Sequence, residues 1–150
     1  MKKRMSYGDS HAPNLKAVIA LNRVTNNLNR RAATIFRSHG LTMMQFAVLE
    51  VLYHRGDLKI GEIIEKILST GGNMTVVLKN LIKDGFVVKC VDPADSRASV
   101  ISITDEGRRK IEVLFPKYLE DLNDFMKGIS ADEKKMLIST LKVLQKENKK

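Results

Sequence analysis

The chain has 150 residues and 43% hydrophobic content, enough for one domain with a packed core and little long-range disorder. No apolar run approaches the roughly 18 residues of a membrane span, and the N-terminus lacks the apolar segment of a signal peptide. A single cysteine, Cys90, excludes an intramolecular disulfide, so a soluble, cytoplasmic protein with no membrane partner is expected.

The net charge of +9 points to a polyanion, but the excess is mostly N-terminal. Residues 1–40 carry eight Lys/Arg against one acid, Asp9, whereas residues 41–100 carry seven of each sign. Residues 1–14, with Gly8 and Pro13, read as a flexible arm. From Leu15 to about Ser38, the positions Leu15, Val18, Ile19, Leu28, Ile35 and Phe36 recur at helical spacings, and His39-Gly40 ends the helix. Thr42 to Gln45 fits a capping box, opening a helix with Phe46, Leu49, Leu52 and Tyr53 inward that stops near Gly56. A short helix with Ile63, Ile64 and Ile67 apolar runs from about Ile60 to Leu68. Then comes "STGGNMTVVLKNLIKDGF", Ser69 to Phe86, in which two glycines directly precede a helix that ends at Asp84-Gly85.

The period changes after that. Phe86–Val91 and Ala98–Ile103 are rich in β-branched residues, and "DPADSR", Asp92 to Arg97, supplies turn formers between them. A hairpin with a rather long tip is predicted. Thr104 is placed to cap a long helix bearing Ile111, Leu114, Phe115, Leu122, Phe125 and Met126, which Pro116 should kink. Ser130 to Glu133 is a second capping box, opening a last helix with Met136, Leu137, Leu141 and Leu144. The fold class is mainly α with a small antiparallel β-hairpin. Three helices closed by a hairpin, with long helices at both ends, make a winged helix-turn-helix over about residues 41–107.

In the helix after Gly72, Met74, Val77, Leu78, Leu81 and Ile82 form a core-facing stripe. The opposite side presents Asn73, Thr75, Val76, Lys79, Asn80 and Lys83, with no acid before Asp84. Helix N-terminal amides attract anions, and glycines admit a phosphate to the backbone. Thr70, Gly71, Gly72 and Asn73 are therefore expected to hold a DNA backbone, while Thr75, Val76, Lys79 and Asn80 face the bases. Taken alone, paired glycines usually mark only a turn and a polar face is usually a solvated one. Position as the second helix of a helix-turn-helix favours recognition. On the hairpin, Arg97 suits the narrow minor groove, with Asp95 paired to it to aim the guanidinium; the plain alternative is a surface ion pair.

With these residues in hand, the chain resembles the MarR (multiple antibiotic resistance regulator) family. "DPADSRASVISITDEG" fits that family's wing pattern at Asp95, Arg97, Ile103, Thr104 and Gly107, and "LTMMQFAVLEVL" and "KIGEIIEKI" look like its second and third helices. The resemblance implies a homodimer joined through helices in residues 15–39 and 108–148, bound to a palindromic double-stranded operator. Leu15, Val18, Ile19, Leu137, Leu141 and Leu144 are the expected interface, being too apolar for a monomer to leave uncovered. A small aromatic or phenolic effector is implied as well, in a cleft near Phe36, His39, Met44, Phe46, Phe115 and Tyr118. The chain departs from the family pattern at Ser96 and Val76, where many members have basic residues, and it lacks the N-terminal cysteine of peroxide sensors.

A repressor released by ligand is the leading expectation, without cofactor. An enzyme is disfavoured: His11, His39 and His54 have no metal-ligand spacing with carboxylates or cysteine, and no nucleophile motif occurs. A protein-binding winged helix remains an alternative. So does a thiol sensor through Cys90, expected half-buried in mid-strand with Lys89 on the other face.

Overall fold

A computed structural model of the chain describes residues 11–67 and 71–147. Its elements are α1 (Ala12–Ser38), α2 (Met43–Arg55), α3 (Ile60–Ile67), α4 (Gly71–Lys83), β1 (Val87–Asp92), β2 (Asp95–Ile103), α5 (Asp105–Phe125) and α6 (Ala131–Glu147). This is the expected mainly α chain with one antiparallel hairpin, in winged helix-turn-helix order. The helix α1 starts at Ala12, inside the segment expected to be an arm. Pro13 occupies its first turn, where a missing N–H costs no intrahelical bond.

Local chemistry sets the other boundaries. The Gln45 N–H donates to the Thr42 hydroxyl at 3.1 Å, and the Thr42 N–H donates to the Gln45 side-chain oxygen at 2.9 Å. The same reciprocal pair opens α6 between Ser130 and Glu133, at 3.2 and 2.7 Å. At the end of α4, Gly85 takes φ 77°. The Gly85 N–H then reaches the Ile82 carbonyl at 3.0 Å and the Phe86 N–H reaches the Leu81 carbonyl at 2.9 Å. This double closure turns the chain from α4 directly into β1.

Leu49, Leu52, Ile63, Met74, Leu81, Val87, Ile101, Ile111 and Leu114 meet in a single core. The helix α2 runs through it and is buried on most sides, since Val48 and Val51 join Phe46, Leu49 and Leu52. Pro116 lies within α5, which continues past it as one element.

The hairpin pairs Val87 with Ile103 through Val91 with Ser99, then slips by three residues on β2 before Asp92 meets Asp95. Its tip is therefore only Pro93-Ala94, tighter than expected. Asp92 makes the reversal by accepting the Ala94 N–H at 2.9 Å, which leaves Asp95, Ser96 and Arg97 free to extend as strand. Leu58 bridges the other edge of β2, exchanging backbone bonds with Ile101 at 3.2 and 2.8 Å.

The chain divides into two compact units, Met1–Tyr118 and Leu119–Lys150. No helix among the described residues is long and apolar enough to cross a membrane.

Candidate nucleic-acid interface

The helix α4 is about 20 Å long at 1.5 Å per residue. Its apolar stripe is Met74, Val77, Leu78 and Leu81, all buried. Ile82, expected to continue that stripe, is instead 43% exposed, because it falls in the last turn, beyond the edge of the core. The opposite side stands as predicted: Asn73, Thr75, Val76, Lys79, Asn80 and Lys83 are exposed. Gly71 and Gly72 form the first turn of α4 rather than a turn ahead of it. First-turn N–H groups have no intrahelical acceptor, so the bare backbone still offers donors. Thr70 lies outside the described residues. An outward side of amides, a hydroxyl, one apolar group and two ammonium groups is chemically suited to base edges and phosphates.

The tip of the wing presents one cation. The Arg97 side chain is 93% exposed, and its Nε lies 3.6 Å from the Asp95 carboxylate, which also accepts the Arg97 N–H at 3.0 Å. Asp92 plays a different part from the neighbouring acid it resembles in sequence. It is buried, and Lys59 Nζ donates to its second oxygen at 3.1 Å. The Ala94 N–H, and after it the Lys59 hydrogen bond, hold the Asp92 carboxyl below its ordinary value of 3.8. The same bond to Asp92 holds Lys59 above 10.5. Nothing in the sequence between residues 59 and 92 signals this pair; only the fold brings the two together.

A pH dependence follows. Because the folded Asp92 value lies below the unfolded one, its contribution is fully present above 3.8 and is lost as pH falls through the lowered value. Lys59 runs the other way: its contribution holds below 10.5 and disappears as pH rises through the raised value. Thermal melts of wild type and Asp92→Asn should differ modestly near neutrality and converge in acid below 3.8. A difference that persists in strong acid would remove the ion pair as its source.

The expected cleft is present in part. Phe36 stacks on Phe46 with ring centroids 4.0 Å apart, and Tyr118 meets both edge-on at 5.1 and 5.5 Å. An open cleft of about 320 Å³ is lined by Phe36, Met43, Phe46, Ala47, Glu50, Phe115 and Tyr118. Met44 and His39 do not line it. Met44 packs against the core, and adjacent Met43 points to the cleft in its place. The ring of His39 bonds the Ile35 carbonyl at 3.0 Å through Nδ1, and Nε2 accepts from Lys117 Nζ at 3.0 Å.

Cys90 is exposed, not half-buried, because none of the described residues covers that part of β1. The expected interface residues Leu15, Val18, Ile19, Leu137 and Leu144 are exposed and Leu141 is half-buried. Among the described residues, no group of three or more His, Cys, Asp or Glu is placed to hold a metal ion.

A family model described as MarR family matches residues 39–98, from the end of α1 into β2. Over 142 residues the chain is 32% identical to YkoM of Bacillus subtilis (strain 168), an uncharacterized HTH-type transcriptional regulator, covering 93% of this chain and 91% of that one. The chain belongs to the MarR family. A second relative, the HTH-type transcriptional regulator MhqR of the same organism, is 31% identical over 128 residues, 85% of this chain and 88% of its own. The MarR fold is matched by S. aureus MepR in its DNA complex, with a TM-score of 0.78 at 19% identity, over 87% of this chain and 96% of that one. The family consists of transcription regulators, not enzymes, in agreement with the absence of a nucleophile motif.

Proposed function

We propose that this MarR-family regulator reads double-stranded DNA by sequence, as a homodimeric repressor on a palindromic operator, and is released by a small aromatic or phenolic ligand. The acid-free outward side of α4, held by a buried stripe on the opposite side, carries the proposal. Thr70 through Asn73 hold the phosphate backbone at the helix start, and Thr75, Val76, Lys79 and Asn80 meet the base edges. Lys83 lies along the phosphates at the other end. Arg97, aimed by Asp95, enters the minor groove from the wing. MepR, which shares the fold, has been captured on DNA.

Dimerisation is supported by the apolar groups that α1 and α6 each leave in solvent. Val18 is 52% exposed on the first, and Leu144 is 48% exposed on the second. A two-fold would set two copies of α4 about 34–36 Å apart, one turn of DNA. Occupancy of a promoter by such a dimer excludes polymerase, and that is how it represses. The aromatic cleft, with Phe36, Phe46, Phe115 and Tyr118 brought together against α2, supports the ligand step.

Selection of bound sites from random duplex tests the reading. An inverted repeat with half-sites about 10–10.5 bp apart is the expected product. Recovery of unrelated sequences, with affinity equal on scrambled duplex, would exclude sequence recognition.

A further inference from the structure

We propose that Lys59 is a positioning residue for the wing: through Asp92 it holds the β1–β2 tip, and with it Arg97, against the turn that launches α3, and so sets how firmly the wing engages DNA. The inference rests on the DNA reading above and adds a residue that neither α4 nor the wing contains.

A two-stranded ribbon is marginally stable by itself and swings unless it is tied down. Beyond the packing of its base into the core, two ties hold the ribbon farther out. The Leu58 bridge to Ile101 fixes the middle of β2 but leaves the tip beyond it unsupported. The second tie is at the tip. Asp92 and Gln45 are the only buried polar residues among those described, and both Asp92 carboxylate oxygens are engaged, one by the Ala94 N–H and the other by Lys59 Nζ. A buried carboxylate that loses a partner is costly, so this contact constrains geometry more than an exposed pair would.

The other end of the tie is also fixed. The Lys59 N–H donates to Glu62 Oε2 at 2.7 Å, and the preceding residue is Leu58. From Asp92 the constraint crosses the tip to its partner Asp95, whose carboxylate accepts the Arg97 N–H and lies beside its guanidinium. A continuous set of contacts thus runs from the start of α3 to exposed Arg97 on the wing. Lys59 spends its ammonium on Asp92, so its part in binding runs through Arg97 rather than through a phosphate of its own.

Electrostatics and positioning predict opposite signs for one substitution. Asp92→Asn raises the net charge of +9 by one, which by attraction alone tightens binding to DNA. Loss of the tie loosens it. The experiment measures affinity of the full chain for its selected operator, by anisotropy of labelled duplex across a salt series. The proteins are wild type, Lys59→Met, Lys59→Arg, Asp92→Asn, Arg97→Ala and Lys59→Met/Arg97→Ala.

Lys59→Met and Asp92→Asn should each weaken binding about fivefold, as coupled neighbours do. Both should lower the salt slope, as Arg97→Ala does, by about one. Lys59→Arg should restore affinity, and Lys59→Met should add less than about twofold once Arg97 is gone. Asp92→Asn binding as tightly as wild type, or Lys59 and Arg97 effects that multiply, would overturn the proposal and make Lys59 a separate phosphate contact. Wild type that prefers no duplex at all would instead bring down the DNA reading, and this inference with it. Should Asp92→Asn fail to fold, the half-exposed Lys59 pair of variants decides alone.

Discussion

Lys79→Glu is expected to abolish operator binding, with a loss of about 3 kcal/mol or more, roughly 100-fold. Two effects combine: a cation facing a polyanion is removed, and a carboxylate is placed where α4 is otherwise free of acid from Gly71 to Lys83. The side chain is exposed and packs into nothing in the core, so stability should change by less than about 0.5 kcal/mol. Asn80→Ala, one residue on, should cost about 1–3 kcal/mol on the selected operator and much less on scrambled duplex. Titrations of both variants on both duplexes separate charge from base reading. Lys79→Glu should lose affinity everywhere, and Asn80→Ala should lose it on the operator. If Lys79→Glu binds normally, the outward side of α4 does not face the DNA.

What was legible in the sequence was local. Capping boxes at Thr42 and Ser130 span four residues each, and both close as written, because the bonds involve only neighbours. Met74, Val77, Leu78 and Leu81 could be assigned to the core from spacing alone, since a 3.6-residue period leaves them on one side. Ile82 fits that period too, but periodicity says nothing of where the core stops, and Ile82 lies past its edge. Met43 and Met44 show the same limit from the other direction. The helix α2 is buried on most sides, so its pattern does not tell which methionine faces the cleft.

The hairpin tip was recognisable as a turn from Asp92 and Pro93, yet its length was not. Asp92 reads in the sequence as a turn former, but it is drawn inward by Lys59, thirty-three positions earlier, and the tip shortens around it. No spacing rule reports a contact of that range. Cys90 departs from its expected half-burial for a related reason: alternation along a strand implies half-burial only where something covers the sheet, and residues 88–91 of the ribbon are all exposed.

Gly107→Ala tests the packing that places the wing against the body. Gly107 is buried in the first turn of α5, and a methyl group there would overlap the Phe86 carbonyl oxygen and come within 2.8 Å of Ile103 Cγ1. The obstacle is backbone and cannot rotate away. That same carbonyl accepts the Thr104 N–H at 3.0 Å, while the Thr104 hydroxyl donates to the Gly85 carbonyl at 2.7 Å and accepts the Gly107 N–H at 3.1 Å. To make room, α5 must lift from the start of β1 and loosen all three bonds.

Alanine ordinarily gains about 1 kcal/mol over glycine in a helix, so the contact has to overcome that gain before any loss appears. A net loss of about 1–3 kcal/mol is expected, as for other overpacked sites. Gly61→Ala, in α3, is the matched control: its added methyl meets nothing within 4 Å, so it should be neutral or stabilising by up to about 1 kcal/mol. Urea denaturation should therefore rank Gly61→Ala at or above wild type and Gly107→Ala well below it. Equal midpoints for wild type and Gly107→Ala would mean that α5 and β1 do not approach so closely at Phe86, and the reason given for a glycine three residues after Thr104 would be wrong.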